Sequence, residues 1–375
     1  MQRVKEAVSE IRKVARKEPL TGAEGVVLFL EKVSPALEQV DSSSGAIGTA
    51  VNRAVEQLVP ILVDAPADAA TRARWLARLW EAYQEDAIPY IEQLGEFWGE
   101  LCAPPAVASR WADELIEGVR LSWSSRFPAG GYFKGTPCCL GALLAAGRHD
   151  ELLVLIGTAP RTWWFYRRWG VRALVALGRK AEAIRYAEAS LETNDNPAPI
   201  VRACEEILLS SGLAGEACRR YGLEANQKGT YLATFRAVAK KYPGKAKEEI
   251  LRDLAAGTPG EEGKWFAAAK DAGLFGEAIR LARQSPCDPR TLARAARDFA
   301  DAKPGFALEA GMAALYWLVQ GYGYDITSAD VRAAYFPSMQ AAENTGAGDV
   351  TRDRIRALVA TDPVGDGFVA GGAAS

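Results

Sequence analysis

Apolar residues recur at helical spacing from the beginning of the chain. Val4, Val8, Ile11 and Ala15 form one stripe within residues 2–17, and the basic residues of this segment face away from it. A repeat of three to four residues is typical of an amphipathic helix. Further helices are predicted over residues 23–40, 45–63, 68–84, 86–101 and 106–125. Runs of alternating β-branched residues are absent, so the pattern predicts an all-α fold.

A glycine followed four residues later by a glutamate recurs through the second half of the chain. Successive glycines are 29 to 34 residues apart, which is the length of one helix pair. This spacing predicts an α-solenoid, the alternative being unrelated helix-loop-helix corners. The pairs are Gly147 and Glu151, Gly178 and Glu182, Gly212 and Glu216, Gly244 and Glu248, Gly273 and Glu277, and Gly305 and Glu309.

The two residues of this motif have different physical roles. The glycine follows an apolar helix, as Gly178 follows residues 171–177, and a helix often ends with a left-handed glycine. The glutamate then falls in the first turn of the next helix, where the helix dipole favours negative charge. We therefore expect each glycine at a helix-helix corner and each glutamate in a first turn.

The motif divides the chain into three predicted parts. Residues 1–128 are helical but lack the motif, and a Gly/Pro-rich junction at 126–137 follows them. Residues 129–345 form the repeat region, and 346–375 comprise a short helix and a tail predicted to fray. Within the repeat region, Thr327 and Asp330 are spaced as in a capping box at the start of a helix.

The repeat unit resembles a tetratricopeptide repeat. In residues 178–197 the resemblance rests on Gly178, the Glu-Ala-Ile that begins at Glu182, and the closing Pro197; residues 273–282 are similar. It covers about 138–320 and implies a right-handed α-solenoid of helix pairs whose first helices line a concave surface. Because that family binds many different ligands, the resemblance implies a binding scaffold and does not name the partner.

A weaker resemblance joins the chain to uncharacterised bacterial helical proteins related to SWIM zinc-finger proteins. It rests on residues 36–45 and 323–331. The zinc ligands of that finger, Cys-x-Cys followed by Cys-x-His, do not occur in this sequence. No zinc and no nucleic-acid role are therefore carried over from that family.

Composition and charge bear on nucleic-acid binding, on location and on the state of the cysteines. The net charge is −2, with 25% charged and 49% hydrophobic residues, so bulk charge does not indicate nucleic-acid binding. The charged N-terminus is unlike a secretory signal and no apolar run reaches membrane-spanning length, so a cytoplasmic location is predicted. The six cysteines include no Cys-x-x-Cys pair and are predicted to be buried, reduced thiols.

Candidate catalytic groups are sparse. His149 is the only histidine and is predicted to lie in a loop on the surface. Residues 130–136 superficially resemble a phosphate-binding loop, but Lys134 precedes the second glycine and no strand leads into them. We therefore interpret them as a linker and predict no catalytic residue, no cofactor and no metal site.

An aromatic-arginine segment is the first candidate binding feature. Residues 161–169 contain five aromatic residues and three arginines, and these residue types are common anchors of binding hot spots. Phe165, Trp169 and Leu174 fit one buried stripe. The predicted partner-binding residues in this segment are Trp163, Trp164, Arg167 and Arg168. The alternative is that the cluster only packs neighbouring helix pairs together.

A basic surface on the first helices is the second candidate feature. The windows 161–176, 197–210, 228–242, 262–272 and 289–302 hold fourteen basic and six acidic residues. If these helices line a groove, it suits an acidic peptide or a phosphate backbone. The predicted partner-binding residues are Arg236, Lys240, Arg294 and Arg297. The alternative is that these charges face the helix-loop edges.

The function predicted from the sequence is a non-enzymatic interaction scaffold or adaptor. Its partner would be another protein, bound through an acidic or extended segment in the basic groove. The alternative is a nucleic-acid-binding helical-repeat protein, including a DNA-processing enzyme. A small-molecule enzyme is the weakest of the three hypotheses, because no motif identifies a reactive group.

Overall fold

The structure of the protein, a computed structural model, describes residues 2–38, 40, 45–124, 126 and 131–360. These residues form twenty α-helices and three short 3-10 helices and contain no strand. The predicted all-α class is therefore confirmed. The predicted tail at 361–375 and residues 127–130 of the predicted junction lie outside the described residues. No helix in the described ranges is long and apolar enough to cross a membrane.

The chain divides into two compact units, Met1–Ile200 and Val201–Ser375. The junction falls inside the helix Ala198–Leu209. The boundary at residues 128/129, which was drawn from the Gly/Pro-rich segment and the start of the motif, stays a prediction.

The first unit contains ten α-helices, and its core is rich in tryptophan. Trp80, Trp98 and Trp111 are in mutual ring contact, with centroids 5.0 to 5.5 Å apart. Such a cluster buries a large apolar area on folding. The helices are α1 (Gln2–Ala15), α2 (Pro19–Leu37), α3 (Ala46–Asp64), α4 (Ala69–Glu85), α5 (Trp98–Leu101), α6 (Pro105–Ser122), α7 (Thr136–Ala145), α8 (His149–Gly157), α9 (Trp164–Ala176) and α10 (Lys180–Glu188).

The prediction of a helix over residues 86–101 is wrong for most of that range. Its first residues form a turn, which a 3-10 helix, Glu92–Phe97, and the four-residue α5 follow. Asp86 ends α4, and its carboxylate accepts hydrogen bonds from the backbone N–H groups of Tyr90 and Ile91 at 3.3 and 3.0 Å. Proline at position 89 disfavours helical backbone at the residue before it. These local bonds replace the expected first turns of a helix.

The second unit contains the remaining helices, and most of them pack against their neighbours along the chain. Contacts join helices two apart in the chain as well as direct neighbours. The helices are α11 (Ala198–Leu209), α12 (Ala214–Ala225), α13 (Tyr231–Lys241), α14 (Lys247–Ala256), α15 (Phe266–Asp271), α16 (Phe275–Gln284), α17 (Pro289–Phe299), α18 (Pro304–Val319), α19 (Ser328–Asn344) and α20 (Gly348–Val359). The remaining 3-10 helices are Leu191–Thr193, in the first unit, and Glu262–Trp265.

A buried glutamate links three elements of the second unit. Glu205 of α11 is fully buried, and its carboxylate accepts hydrogen bonds from Asn226 Nδ2 at 2.7 Å and Lys241 Nζ at 2.5 Å. The Tyr242 hydroxyl donates a third bond, and burial raises the pKa of that phenol. Because a buried charge is tolerated only when it is paired, this network holds the ends of α12 and α13 against α11.

Four of the six phased glycines end the first helix of a pair in left-handed conformation. They are Gly147, Gly178, Gly212 and Gly273, with φ between 72° and 80°. At Gly178 the glycine N–H bonds to the carbonyl of Val175 and the next N–H, of Arg179, bonds to Leu174. This is the Schellman pattern. The predicted role of these four glycines is confirmed.

The remaining two glycines and one glutamate behave differently. Gly244 lies between α13 and α14 without left-handed backbone, and Gly305 lies in the first turn of α18. Five of the glutamates occupy first turns as expected. Glu309 does not, because α18 begins at Pro304. Its carboxylate instead pairs with Arg283 and Arg354.

A matched pair of alanine substitutions tests the glycine motif. Gly178→Ala introduces a side chain into open space but at φ +77°, whereas Gly305→Ala enters open space on ordinary helical backbone. We expect Gly178→Ala to cost about 1–2 kcal/mol and Gly305→Ala to be neutral or stabilising by roughly 0.5 kcal/mol. Thermal unfolding followed by circular dichroism measures both. Equal melting temperatures for the two variants would contradict the assignment.

The ion-pair cluster between α2 and α4 predicts a pH dependence of stability. Arg78 donates two 2.7 Å hydrogen bonds to Glu31 and a further bond to Glu24, which lowers the pKa of both carboxyls. The stabilisation is therefore complete above the ordinary glutamate pKa, about 4.3, and is lost as the pH falls through the lower folded-state values. At pH 7, Arg78→Met should lower the free energy of unfolding by about 2 kcal/mol. The melting temperature should fall accordingly.

The deficit of Arg78→Met should shrink as the pH falls from 6 to 3. Arg74→Met, at an exposed position one turn earlier, is the control and should have little effect at any pH. A deficit for Arg78→Met that is constant over this pH range would show that the arginine stabilises by packing alone.

Candidate functional site

The aromatic-arginine segment at the start of α9 is partly buried. Trp169 and Leu174 lie in the core, as expected, but Phe165 is 43% exposed and its expected burial is wrong. Phe165 lies in the first turn of α9, where its ring packs edge-on against Tyr166 and under the guanidinium of Arg168. Trp163 is also 43% exposed and stacks on Tyr166.

Arg167 and Arg168, the two central arginines of the segment, both make contacts within the first unit. The Arg167 guanidinium lies 3.8 Å above the Tyr186 ring and donates to the Tyr186 carbonyl at 3.1 Å. Arg168 forms an ion pair with Glu96. Burial lowers the pKa of Arg168 and raises the pKa of Glu96, so this pair is partly desolvated. These contacts hold α9 against α10 and against the 3-10 helix at 92–97.

Trp164 also has an intramolecular role. It is half-buried, and its backbone N–H donates to Asn194 Oδ1 at 2.9 Å. Of the four residues predicted here to bind a partner, only Trp163 presents a largely exposed side chain.

Arg236 and Lys240 lie on the outer face of α13. Arg236 donates to both carboxylate oxygens of Asp271 on α15, at 3.1 and 2.5 Å. Lys240 is exposed one turn later. The Arg236 charge is thus compensated locally, although the pair itself faces solvent.

Arg294 and Arg297 belong to a continuous basic face on α17. Together with Arg290 they occupy positions i, i+4 and i+7, so all three lie on one side of the helix and all three are exposed. The opposite side is apolar, with Leu292 and Ala296 fully buried. Burial of that side fixes the direction in which the arginines point.

The basic face of α17 borders a groove of about 670 Å³ between α17 and α19. Arg290 contacts Asp330 near the starts of the two helices, and Asp301 accepts a 3.1 Å bond from Gln340 near their ends, so the helices run parallel. We call this feature the arginine groove. Its lining residues are Arg290, Ala293, Arg294, Arg297, Ala329, Asp330, Arg332, Ala333, Phe336 and Pro337.

Small side chains create the groove and long ones form its edges. Ala293 of α17 and Ala329 and Ala333 of α19 leave the space between the helices open. A larger side chain at these positions would fill it. Arg332 and Phe336, one turn apart on α19, form the edge opposite the α17 arginines, and the Phe336 ring is 56% exposed.

One end of the groove is closed by an internal ion pair. Arg290 Nε lies 2.7 Å from Asp330 Oδ1, and its Nη2 donates to the carbonyl of Asp325 at 3.0 Å. Asp330 also accepts a bond from the Thr327 N–H at 2.8 Å, which confirms the predicted capping-box start of α19. Arg290 lowers the pKa of the Asp330 carboxyl, which therefore stays ionised.

The middle of the groove carries uncompensated positive charge. Arg294 Nε bonds to the carbonyl of Arg290 at 3.3 Å, but neither Arg294 nor Arg332 has a carboxylate within 4.0 Å among the residues that the structure describes. Arg297 pairs with Asp298 at 2.8 Å, where both side chains are largely exposed. Because an exposed ion pair is weak, Arg297 can leave Asp298 and bind an incoming anion.

Lys134 and His149, which the sequence analysis considered as candidate reactive groups, lie in the first unit. Lys134 donates to the carbonyl of Asp86 at 2.6 Å and accepts, at its own carbonyl, a bond from the Tyr83 hydroxyl. These contacts fix residues 131–136 as a connecting segment of the first unit. His149 is the first residue of α8 rather than a loop residue.

The six cysteine side chains are buried, and none of them forms a disulfide. Burial raises the pKa of Cys102, Cys139 and Cys287 to about 12, which disfavours the reactive thiolate. Within the described ranges, no group of three or more His, Cys, Asp or Glu side chains is placed to hold a metal ion. The arginines that line the arginine groove suit it to holding an anion by charge and hydrogen bonding.

Comparison of the chain with protein-family models, with curated proteins and with solved structures finds no match. The resemblance to tetratricopeptide repeats therefore stays a prediction that rests on the phased motif.

Sequence reasoning missed the α19 side of the arginine groove. Arg332 and Phe336 lie beyond the last window assigned to a first helix. The capping-box signal at Thr327 places Ala329, Ala333 and Pro337 at a spacing of four residues on one face of α19. That small-residue face beside Arg332 and Phe336 was the signal that could have identified them.

The contacts of Arg168 predict a structural role for it. Arg168→Ala leaves Glu96 partly buried without its partner, which typically costs about 1–3 kcal/mol. We expect a melting temperature several degrees lower. Arg297→Ala removes an arginine that is 66% exposed and should leave the melting temperature within about 1 °C of wild type, since surface substitutions usually change stability by under about 0.5 kcal/mol. An unchanged melting temperature for Arg168→Ala would favour the partner-binding hypothesis for this segment.

Proposed function

We propose that this protein is a non-enzymatic helical-repeat scaffold that binds an extended acidic segment of another protein in the arginine groove. The observation that supports this most strongly is the pair Arg294 and Arg332, which lie on opposite edges of a groove open to solvent. Neither has a carboxylate partner among the residues that the structure describes. Arginine presents a planar fork of donors that suits carboxylates.

The proposal includes a tetratricopeptide-like, right-handed solenoid, for which the order of helix contacts is the support. First helices contact the next first helices, as α7 does α9, α13 does α15 and α17 does α19. Second helices do the same, as α12 does α14 and α16 does α18. This contact order is typical of stacked helix pairs. In such a stack α17 and α19 are both first helices, so the arginine groove belongs to the predicted concave face, with residues 1–128 as a helical cap.

The dimensions of the groove favour an extended peptide. Arg290 and Arg297 are seven residues apart, which is about 10 Å along a helix, and about three extended residues cover that distance. The alanine floor leaves room for a main chain, and the lining has four arginines against one aspartate. A nucleic acid would instead be expected to contact a longer series of basic side chains.

A binding experiment with the full chain tests the proposal. A fluorescein-labelled peptide of twelve residues, alternating glutamate and serine, is titrated with protein and its anisotropy measured. We expect saturable binding that a glutamine-serine peptide does not show. Arg294→Ala with Arg332→Ala should raise Kd at least tenfold, since loss of charge-assisted hydrogen bonds costs about 1.5–3 kcal/mol.

The matched control removes the same charge from another helix of the second unit. Arg352→Ala with Arg356→Ala, on α20, should leave Kd within about twofold of wild type. Equal weakening by the two double variants would indicate general electrostatics and contradict the assignment of the site. Tighter binding of a duplex DNA of twenty base pairs, with a steep salt dependence, would favour nucleic acid as the partner.

A further inference from the structure

The arginine groove has an apolar feature beside its unpaired charges. Phe336 is 56% exposed on α19, four residues after Arg332 and next to Pro337. A phenylalanine that is kept in water at the edge of a groove is a potential anchor, because burying its ring on binding is favourable. Binding of a carboxylate by the arginines alone would leave the Phe336 ring without a role.

The spacing of the two α19 side chains is that of alternate residues in an extended chain. Four helical residues rise about 6 Å. In an extended peptide, side chains on the same face are two residues apart, a distance of about 6.6–6.8 Å. A ligand carboxylate at Arg332 would therefore place the side chain two residues away against Phe336.

The opposite edge of the groove is consistent with this arrangement. Arg294 lies on α17 across the alanine floor and has no carboxylate partner within 4.0 Å in the described part of the chain, so it can share the ligand carboxylate with Arg332. The ion pair of Arg290 with Asp330 occupies the start of the groove, where Asp330 would repel an acidic residue. The acidic group of a ligand is thereby directed to the middle, one turn from the aromatic ring.

We propose that the arginine groove recognises an acidic residue followed, two positions later, by an aromatic or large apolar residue. Arg294 and Arg332 select the acid and Phe336 selects the apolar residue. This inference rests on the proposed function, because it names the kind of acidic segment that the same groove binds.

A competition experiment with the full chain tests the spacing. Unlabelled ten-residue peptides in a Gly-Ser host, each with a single acid, displace the labelled glutamate-serine peptide. The set contains Glu-Ser-Phe, the reordered Glu-Phe-Ser, and Glu-Ser-Ala. We expect Glu-Ser-Phe to compete at a concentration about tenfold lower than either of the others. Phe336→Ala should abolish this preference, so that the three peptides compete at similar concentrations.

The outcomes separate this inference from the proposed function. If the labelled glutamate-serine peptide does not bind wild-type protein, the proposed function fails and this inference fails with it. If it binds and Glu-Ser-Ala or Glu-Phe-Ser competes as well as Glu-Ser-Phe, only the specificity is overturned. A preference for Glu-Ser-Phe that survives Phe336→Ala would also overturn it. Because Phe336 is largely exposed, circular dichroism of that variant should match wild type.

Discussion

The left-handed glycine that ends the first helix of a pair is the constraint on which the repeat depends. At Gly147, Gly178, Gly212 and Gly273 it closes a Schellman motif. The chain then turns within about two residues into the next helix, whose first turn carries the phased glutamate. Any other residue would strain the backbone at this point. Because the corner is short, the second helix lies close to the first and can pack against it.

The arginine groove follows from packing of this kind between α17 and α19. Burial of the apolar side of α17 turns Arg290, Arg294 and Arg297 outward, while alanines on both helices keep the space between them open. One arginine is neutralised by Asp330, which the start of α19 also uses as a cap. Arg294 and Arg332, which have no carboxylate partner in the described part of the chain, lie in the middle of the groove beside the exposed Phe336.

Much of the fold could be predicted from the sequence, and less of the site. Helical periodicity and the phased glycines depend on interactions between residues close in sequence. The all-α class and the left-handed glycines at four helix-helix corners are therefore confirmed. The region 86–101 was mispredicted because Asp86 bonds to later backbone N–H groups, which periodicity does not reveal. Arg167 and Arg168 gain their partners, Tyr186 and Glu96, from distant positions. Sequence alone did not show that they are held internally, nor that Arg332 faces α17.

Hydrogen exchange of the full chain, with and without a saturating acidic peptide, tests the central claim most directly. It reports the location of binding without any substitution, because backbone amides under a bound ligand open less often. The account predicts slower exchange in α17, Pro289–Phe299, and in the first half of α19, from Ser328, with α9 and α13 unchanged. Protection confined to α9, or no protection in α17 and α19 at saturation, would contradict it.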